Sequence, residues 1–423
     1  MQTLKSNSTR QSVQRTTLDN GITLIVVENP TADIIAGRLY LKNAGTRVEP
    51  LSQAGISHLL STVITKGTSH LNAEAIAEKI ESVGAGLTAE SANDYFAVSL
   101  KTVSQDFPDI LQLAGEMMRT PSFPESEIEL EKSLTQQNIR AQQEQPFNLA
   151  FNQLREQMYP QHPYGVSVLG TEETVASLTR EDIQHYHQTY FRPDQLVISL
   201  AGRITLPEAI QTVTQVFGDW QSPTTPQPTP SLPTLTPQPF SKKLTQNTQQ
   251  TIIMLGYLTA PIHDADYPTL KLINTYLGNG LSSRLFVELR EKQGLAYDVS
   301  AFYPTRLEPS HFVTYIGTAP ENVEVALKGL RQEVQRLCEV KLTAEELEAS
   351  QNKLLGQYAL AKQSNGQLAQ LFGWYETLNQ GVAFDDIFQE RVAQVSATEM
   401  QRVAQTYFAI EPYLSVVGSG ADE

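Results

Sequence analysis

Residues 44–100 read AGTRVEPLSQAGISHLLSTVITKGTSHLNAEAIAEKIESVGAGLTAESANDYFAVSL, and this stretch decides the fold class. Apolar residues recur every three or four positions over 53–63 and again over 72–83, which predicts two amphipathic helices. Residues 95–103 are rich in aromatic and β-branched side chains, as is typical of a strand. The stretch therefore predicts helices packed beside a β-sheet.

Strand patterns precede this stretch, and a further helical pattern follows it. Residues 16–30, TTLDNGITLIVVENP, contain two β segments around the turn signal at 19–21, and residues 32–45 form a second long strand. Residues 105–118 again show the helical period. Strands that come first, with helices grouped after them, predict an α+β domain whose mainly antiparallel sheet is covered by helices.

The two halves of the chain end in similar sequences. Residues 178–191 (LTREDIQHYHQTYF) align with residues 395–408 (VSATEMQRVAQTYF), and each segment is followed by a β-like run into glycine. The match lies where an internal duplication would place it. We therefore interpret the halves as one fold used twice.

A proline-rich segment separates the halves. Residues 221–240 hold seven of the 23 prolines and no charged residue. Proline fixes φ and removes a backbone donor, so this composition is typical of an extended, semi-stiff linker. The predicted organisation is two homologous domains, residues 1–220 and 244–423, joined by a linker at 221–243.

Composition and charge disfavour several classes of function. The 423 residues include 31 Lys and Arg against 46 Asp and Glu, a formal charge of -15, which argues against nucleic acid as a partner and favours basic peptides. The single cysteine, Cys338, excludes an internal disulfide. Because the sequence has no membrane-spanning apolar run and no apolar leader, we predict a cytoplasmic protein. A periplasmic or organellar location stays open if a targeting segment has been removed.

The histidines do not predict an obvious metal site. His185 and His187 lie two residues apart in a helical stretch, where their side chains point in different directions. We interpret this pair as surface residues. His70, His162, His263 and His311 have no nearby ligand partners in sequence and are interpreted as structural.

Several motifs together resemble a known enzyme family. The frame runs from Gly45 through Gly55-x-x-His58 to Lys66-Gly67-Thr68, and it is supported by HPYGVSVLGTEETVASLTREDI at 162–183 and LGNGLSSRLFVELREKQGLAYDV at 277–299. These segments resemble the inverzincins, the pitrilysin or insulinase-like zinc metallopeptidases, in the branch that includes the mitochondrial processing peptidases. The resemblance covers both halves.

The zinc motif of that family is degenerate in this sequence. In H-x-x-E-H, two histidines on one helical face bind zinc and the glutamate is the general base. Here the resemblance places His58 at the first ligand, Ser61 at the base, Thr62 at the second ligand and Asn138 at the distal glutamate ligand. Serine cannot replace a carboxylate base, and neutral Thr and Asn oxygens are poor zinc ligands. We therefore predict no metal in this chain.

The second half keeps a different functional pair. The resemblance assigns Arg290 and Tyr297 to an Arg/Tyr pair that faces the zinc helix across a closed two-half chamber and binds substrate. The alternative from spacing alone is a surface ion pair for Arg290 and a packed Tyr297. Arg284 is a secondary candidate for lining the chamber, and its alternative is a surface arginine at the start of a helix.

These features leave three hypotheses. The first is a non-catalytic, substrate-binding subunit of a heterodimeric zinc metalloendopeptidase, which is inactive alone and works with a homologous partner that carries H-x-x-E-H and the zinc. The second is an assembly protein that resembles the core subunits of the respiratory cytochrome bc complex. The third is a stand-alone protein that binds peptides without cutting them. Retention of Arg290 and Tyr297 favours the first.

Overall fold

A computed structural model describes residues 12–419. The predicted absence of an apolar leader concerns the start of the sequence, and residues 1–11 lie outside the described range. Within the described part, no helix combines the length and apolar composition needed to cross a membrane.

The first half forms a six-stranded sheet with helices around it. The sheet order is β1-β2-β6-β3-β5-β4. Its strands are β1 (Val13–Thr17), β2 (Thr23–Glu28), β3 (Ile34–Lys42), β4 (Gly86–Ser91), β5 (Tyr95–Val103) and β6 (Leu196–Gly202). The helices are α1 (Ile56–Val63), α2 (Ala73–Glu81), α3 (Phe107–Arg119), α4 (Glu125–Gln143), α5 (Pro146–Met158), α6 (Glu172–Ser177), α7 (Arg180–Tyr190) and α8 (Leu206–Phe217).

The second half repeats this plan without a counterpart of β1 among its described residues. Its five-stranded sheet has the order β7-β11-β8-β10-β9, which matches β2-β6-β3-β5-β4 strand for strand. The strands are β7 (Phe240–Leu244), β8 (Thr251–Thr259), β9 (Asp298–Phe302), β10 (Ser310–Thr318) and β11 (Tyr413–Val417). The helices are α9 (Tyr267–Gly278), a π-helix (Phe286–Lys292), α10 (Val323–Glu339), α11 (Ala344–Leu360), α12 (Asn365–Thr377), α13 (Phe384–Gln394) and α14 (Ala397–Phe408).

The predicted fold class is confirmed. Each sheet contains one parallel pair, β2 with β6 and β7 with β11, and its other pairs are antiparallel. Two large apolar cores lie between the sheets and their helices, one in each half. The same sheet order in both halves supports the interpretation of one fold used twice.

One helix of each half packs against the sheet of the other half. The first-half helix α5 packs on β8 and β11 of the second sheet, where Leu154 and Met158 join a core with Met254. The second-half helix α12 packs on β3 and β6 of the first sheet, where Phe372 lies in a core with Tyr40. Each sheet is therefore covered on one face by its own helices and on the other by a helix from across the linker.

Polar contacts reinforce this exchange between the halves. The Arg15 guanidinium donates two hydrogen bonds to the Glu376 carboxylate of α12, at 3.0 and 2.8 Å. Arg47 pairs with Glu308 at 3.0 Å. A bidentate arginine–carboxylate contact fixes geometry as well as charge, so the two halves are held in one orientation.

The segment between the halves runs over the surface. No helix or strand occupies 221–239, and β7 begins at Phe240, so the last residues of the predicted linker (221–243) lie in a strand. The Arg192 guanidinium donates to the carbonyls of Thr225 and Pro223 at 2.6 and 3.3 Å. These contacts tie the proline-rich segment to the first half.

Most predicted elements in residues 44–118 form, with one change and one omission. The predicted helix at 53–63 begins only at Ile56, because Gly55 has φ +95° and interrupts the backbone there. A Cβ at Gly55 would lie 2.6 Å from the Leu169 carbonyl oxygen, so glycine is required. The sequence pattern does not predict β4, in which Leu87 is the only buried residue.

Candidate functional site

A buried carboxylate holds the start of α1. Glu49 accepts hydrogen bonds from the backbone N–H groups of Gly55 at 2.9 Å and Ser57 at 2.8 Å, and it also accepts the Ser57 hydroxyl. Burial raises the pKa of Glu49, and these hydrogen bonds partly offset the effect. An anion at a helix N-terminus satisfies its free donors, so Glu49 fixes where α1 begins.

His58 lies in the first turn of α1, just after the backbone groups that Glu49 holds. Its side chain is half-buried on α1, which packs against α4. Burial lowers the pKa of His58, and the nearby Glu131 carboxylate on α4 acts in the opposite direction. Glu131 is itself paired with Lys66 at 3.0 Å. His58 therefore lies beside an ion pair that is already formed.

The other three positions of the degenerate motif supply no further zinc ligand. The Ser61 hydroxyl donates to the His58 carbonyl at 2.7 Å, and the Thr62 hydroxyl donates to the Leu59 carbonyl at 2.9 Å. Asn138 is exposed on α4. A zinc site needs at least three imidazole, thiolate or carboxylate donors, and His58 is the one such group at these positions. The donor set does not fit zinc.

The part of the chain between residues 12 and 419 offers no other cluster of this kind. Within it, no three His, Cys, Asp or Glu side chains converge closely enough to hold a metal ion. The cysteine Cys338 is half-buried and donates to the Ala404 carbonyl at 3.4 Å.

The structure corrects the interpretation of the His185 and His187 pair. The two side chains do point in different directions, but only His185 is exposed. His187 is buried, its Nε2 lies 2.8 Å from the Met118 carbonyl oxygen, and burial lowers its pKa to about 4. The interpretation as a surface residue is wrong for His187, because α7 turns that side chain into the first core.

Two of the remaining histidines are buried at the contact between the halves. His162 accepts the backbone N–H of Tyr164 at 3.0 Å, and His311 lies 3.1 Å from the Tyr159 hydroxyl. Burial lowers the pKa of His162 to about 4, and burial lowers that of His311 as well. Both are structural, as the sequence suggested.

Arg290 and Tyr297 lie on the surface of the second half. Arg290 is exposed in the π-helix, with its guanidinium carbon 4.9 Å from the centre of the Phe286 ring. Tyr297 is 56% exposed, and its backbone N–H donates to the Gly317 carbonyl at 2.9 Å at the start of β9. The alternative that Tyr297 packs in the sheet therefore fails, whereas the substrate-binding role of the pair stays a prediction.

Arg284 is engaged on two sides. Its Nε lies 2.7 Å from a Glu333 oxygen and its Nη1 lies 3.1 Å from a Glu288 oxygen. It also lines a cavity of about 250 Å³ with Tyr276 and Lys353. The arginine is neither a free surface residue nor a free ligand, and its predicted place in a chamber lining stays a prediction.

Sequence reasoning did not identify two of the polar groups that position these elements. Glu49 lies six residues before Gly55, and an acidic residue just ahead of a helix is a signal for such a cap. Asp94 is buried between the halves, where it accepts the Tyr164 hydroxyl and the Leu307 backbone N–H. No local sequence pattern predicts Asp94, since its partners lie 70 and 213 residues away.

Two descriptions from one peptidase family match the chain in succession. Residues 23–172 match "Insulinase (Peptidase family M16)", and residues 177–354 match "Peptidase M16 inactive domain". The first match contains α1 with His58, and the second contains Arg290 and Tyr297.

Relatives and solved structures match over nearly the whole length. The zinc protease YmxG of Bacillus subtilis is 28% identical over 400 residues, which is 92% of this chain and 94% of that protein. A zinc protease of Streptomyces coelicolor is 26% identical and covers 97% of this chain, with 91% of that protein covered.

Two crystal structures show the same fold. The peptidase M16 inactive domain of Pseudomonas fluorescens and a protease of Helicobacter pylori each superpose with a TM-score of 0.89 at 22% identity. Each comparison covers 96% of this chain, with 98% and 99% of the respective structure. The two family matches in succession, the repeated sheet and the full-length relatives lead to one conclusion: the chain belongs to the pitrilysin or insulinase-like zinc metallopeptidases, peptidase family M16.

Proposed function

We propose that this chain is the non-catalytic, substrate-binding subunit of a heterodimeric zinc metalloendopeptidase that acts on peptides or unfolded polypeptides. Its partner is a homologous chain with an intact H-x-x-E-H motif, and that partner holds the zinc. This chain contributes Arg290 and Tyr297 to the partner's site and binds no metal of its own.

The contrast between the two sets of side chains carries the proposal. The hydroxyls of Ser61 and Thr62 donate hydrogen bonds to backbone carbonyls of their own helix. In contrast, Tyr297 is largely exposed, and Arg290 forms no ion pair with any carboxylate of residues 12–419. A guanidinium and a phenol that are exposed in this way are accessible to a ligand from outside the chain.

The chemistry of the pair suits a peptide substrate. Arginine presents a planar set of N–H donors to carbonyl oxygens, and a tyrosine hydroxyl donates to an oxyanion. One donor aimed at the charge that develops during acyl transfer contributes about 2.7–4 kcal/mol to transition-state binding. The pair can therefore act on a substrate whose scissile bond lies at another subunit's metal.

Complementation tests the proposal directly. We expect the purified chain alone to contain well under one zinc per chain and to leave a fluorogenic, unstructured basic peptide uncut. With a homologous chain that carries H-x-x-E-H, it should form a complex on size exclusion and cleave the peptide in a chelator-sensitive reaction.

The other outcomes separate the alternatives. One tightly held zinc in this chain alone would contradict the proposal. Peptide binding by this chain with no cleavage in any complex would identify a stand-alone peptide-binding protein. A stable complex that neither binds nor cuts peptide would identify an assembly protein.

A further inference from the structure

The segment that carries Arg290 has an unusual backbone. Residues Phe286–Lys292 form a π-helix of seven residues. Such helices are rare, pack less favourably than α-helices and occur frequently at functional sites. Their register therefore has to be held by contacts outside the helix.

A line of ion pairs runs along one face of this segment. Arg284, Glu288 and Lys292 follow at intervals of four residues, and one Glu288 oxygen lies 3.1 Å from Nη1 of Arg284 and 2.8 Å from Nζ of Lys292. Arg284 and Glu288 are each 17% exposed. Partly buried pairs of this kind are less screened by water than surface pairs.

Arg284 also connects the segment to a neighbouring helix. Its Nε donates to Glu333 of α10 at 2.7 Å, and the Glu333 side chain is only 12% exposed. Leu289 is fully buried beneath the π-helix, and Gly329 of α10 leaves room for it, since a Cβ there would lie 2.8 Å from a Leu289 methyl carbon. The π-helix is thus fixed to α10 by one apolar and one ionic contact.

Arg290 emerges from the same segment without any such contact to α10. It is exposed and lies over Phe286, four residues earlier, while Tyr297 immediately precedes β9, the strand that follows. Any change in the register of the π-helix would move Arg290 together with the segment that leads from the π-helix to Tyr297.

We propose that Arg284 is a positioning residue that bridges Glu288 and Glu333, sets the register of the π-helix and so orients Arg290 and Tyr297. This inference rests on the proposed function. It assigns Arg284 a role within the protein rather than one in direct contact with substrate.

Hydrogen exchange together with kinetics tests the role of Arg284. In the full chain, Arg284→Gln should raise amide exchange over residues 286–297 by about tenfold, because the bridge to α10 is lost. In the complex with the H-x-x-E-H partner, it should lower kcat by about 10- to 100-fold while KM changes by less than about threefold. Arg284→Lys can keep one of the two ion pairs, so its amide exchange and its kcat should both lie between those of the wild type and Arg284→Gln.

The matched control is Arg331→Gln on the same helix, α10. Arg331 pairs with Glu411, which lies outside the π-helix segment, at 2.7 Å, and both side chains are more exposed. This variant should change neither exchange over 286–297 nor kcat. If Arg284→Gln does not fold, Glu333→Gln removes the same bridge and decides the question.

The outcomes distinguish this inference from the proposed function. Unchanged exchange with reduced activity would mean that Arg284 contacts substrate, which overturns the positioning role. Faster exchange with full activity would mean that the register does not matter to the pair, which also overturns it. If Arg290 and Tyr297 variants are fully active, the proposed function fails, while the exchange result still reports whether Arg284 holds the π-helix.

Discussion

At the scale of single residues, the two sites of this chain differ in where their polar groups are used. The hydroxyls of Ser61 and Thr62 donate hydrogen bonds within α1. The helix therefore remains stable with these residues in place of the family's glutamate and histidine. Arg290 and Tyr297 contribute little to the core, because both are exposed. Side chains that contribute little to the core can be changed to test function with little loss of stability.

Tyr297→Phe is the most specific residue-scale test. We expect it to lower kcat of the heterodimer by about 10- to 1000-fold, by analogy with loss of one oxyanion donor, with KM little changed. Arg290→Ala should lower kcat/KM, because the guanidinium also binds substrate in the ground state. Thermal unfolding and zinc content of the complex serve as controls and should match the wild type. Full activity in both variants would show that the pair is structurally and catalytically dispensable.

At the scale of elements, local patterns predicted the type of the helices and strands that they covered, chiefly within residues 16–118, but not what the side chains of those elements meet. The sequence correctly placed His185 and His187 in a helix, α7, yet only the packed structure shows that His187 points inward to Met118. The strand β4 was missed because its alternation is short and weak: Leu87 is its one buried residue, and Ala89 is only partly buried. Asp94 acts through partners 70 and 213 residues away, which one sequence does not reveal.

The buried His187 predicts that the fold weakens in acid. Its pKa is about 4 in the folded protein because of burial, against about 6.5 in an unfolded chain. Between these values the unfolded state binds a proton that the folded state does not, so stability is complete above about pH 6.5 and falls as the pH drops toward 4. The contribution of His187 to this loss is about 3 kcal/mol.

Denaturant unfolding from pH 7 to pH 4 measures this effect. His187→Gln can keep a donor to the Met118 carbonyl without titrating, so the free energy of unfolding should depend less steeply on pH. Some slope should remain, because His162 and His311 are also buried. His185→Gln, at the exposed position on the same helix, is the control and should leave the slope unchanged. An equal slope in His187→Gln and wild type would contradict the assignment.

At the scale of the whole molecule, the exchange of α5 and α12 makes the halves one structural unit. The α12 contact depends on Gly373, where a Cβ would lie 2.7 Å from a Tyr40 ring carbon and 2.8 Å from the Ser199 Cβ. The α5 contact depends on Gly256 of β8, where a Cβ would lie 2.7 Å from a Leu154 methyl carbon. The duplication was visible in the sequence, whereas this reciprocal packing was not.

Gly373→Ala should therefore weaken the entire protein. We expect it to lower the free energy of unfolding by about 1–3 kcal/mol through overpacking, in one cooperative transition seen by both near-UV and far-UV circular dichroism. Gly366→Ala lies on the same helix, where a Cβ would meet the Ser364 hydroxyl at an unstrained 4.0 Å, and it should be neutral or stabilise by about 0.5–1 kcal/mol. Two separate transitions in the variant would show that the halves fold independently.

The reciprocal packing also limits how this chain can recombine with its relatives. Consider a chimera with its first half from one relative and its second half from another, joined in the linker. In it, α5 would pack on a sheet from the other relative, and so would α12. A crossover before α5 would keep that helix with its sheet but would take β6 away from the sheet it completes. Both chimeras thus carry mismatched contacts, and we expect the residues that face α5 and α12 to change together when related sequences diverge.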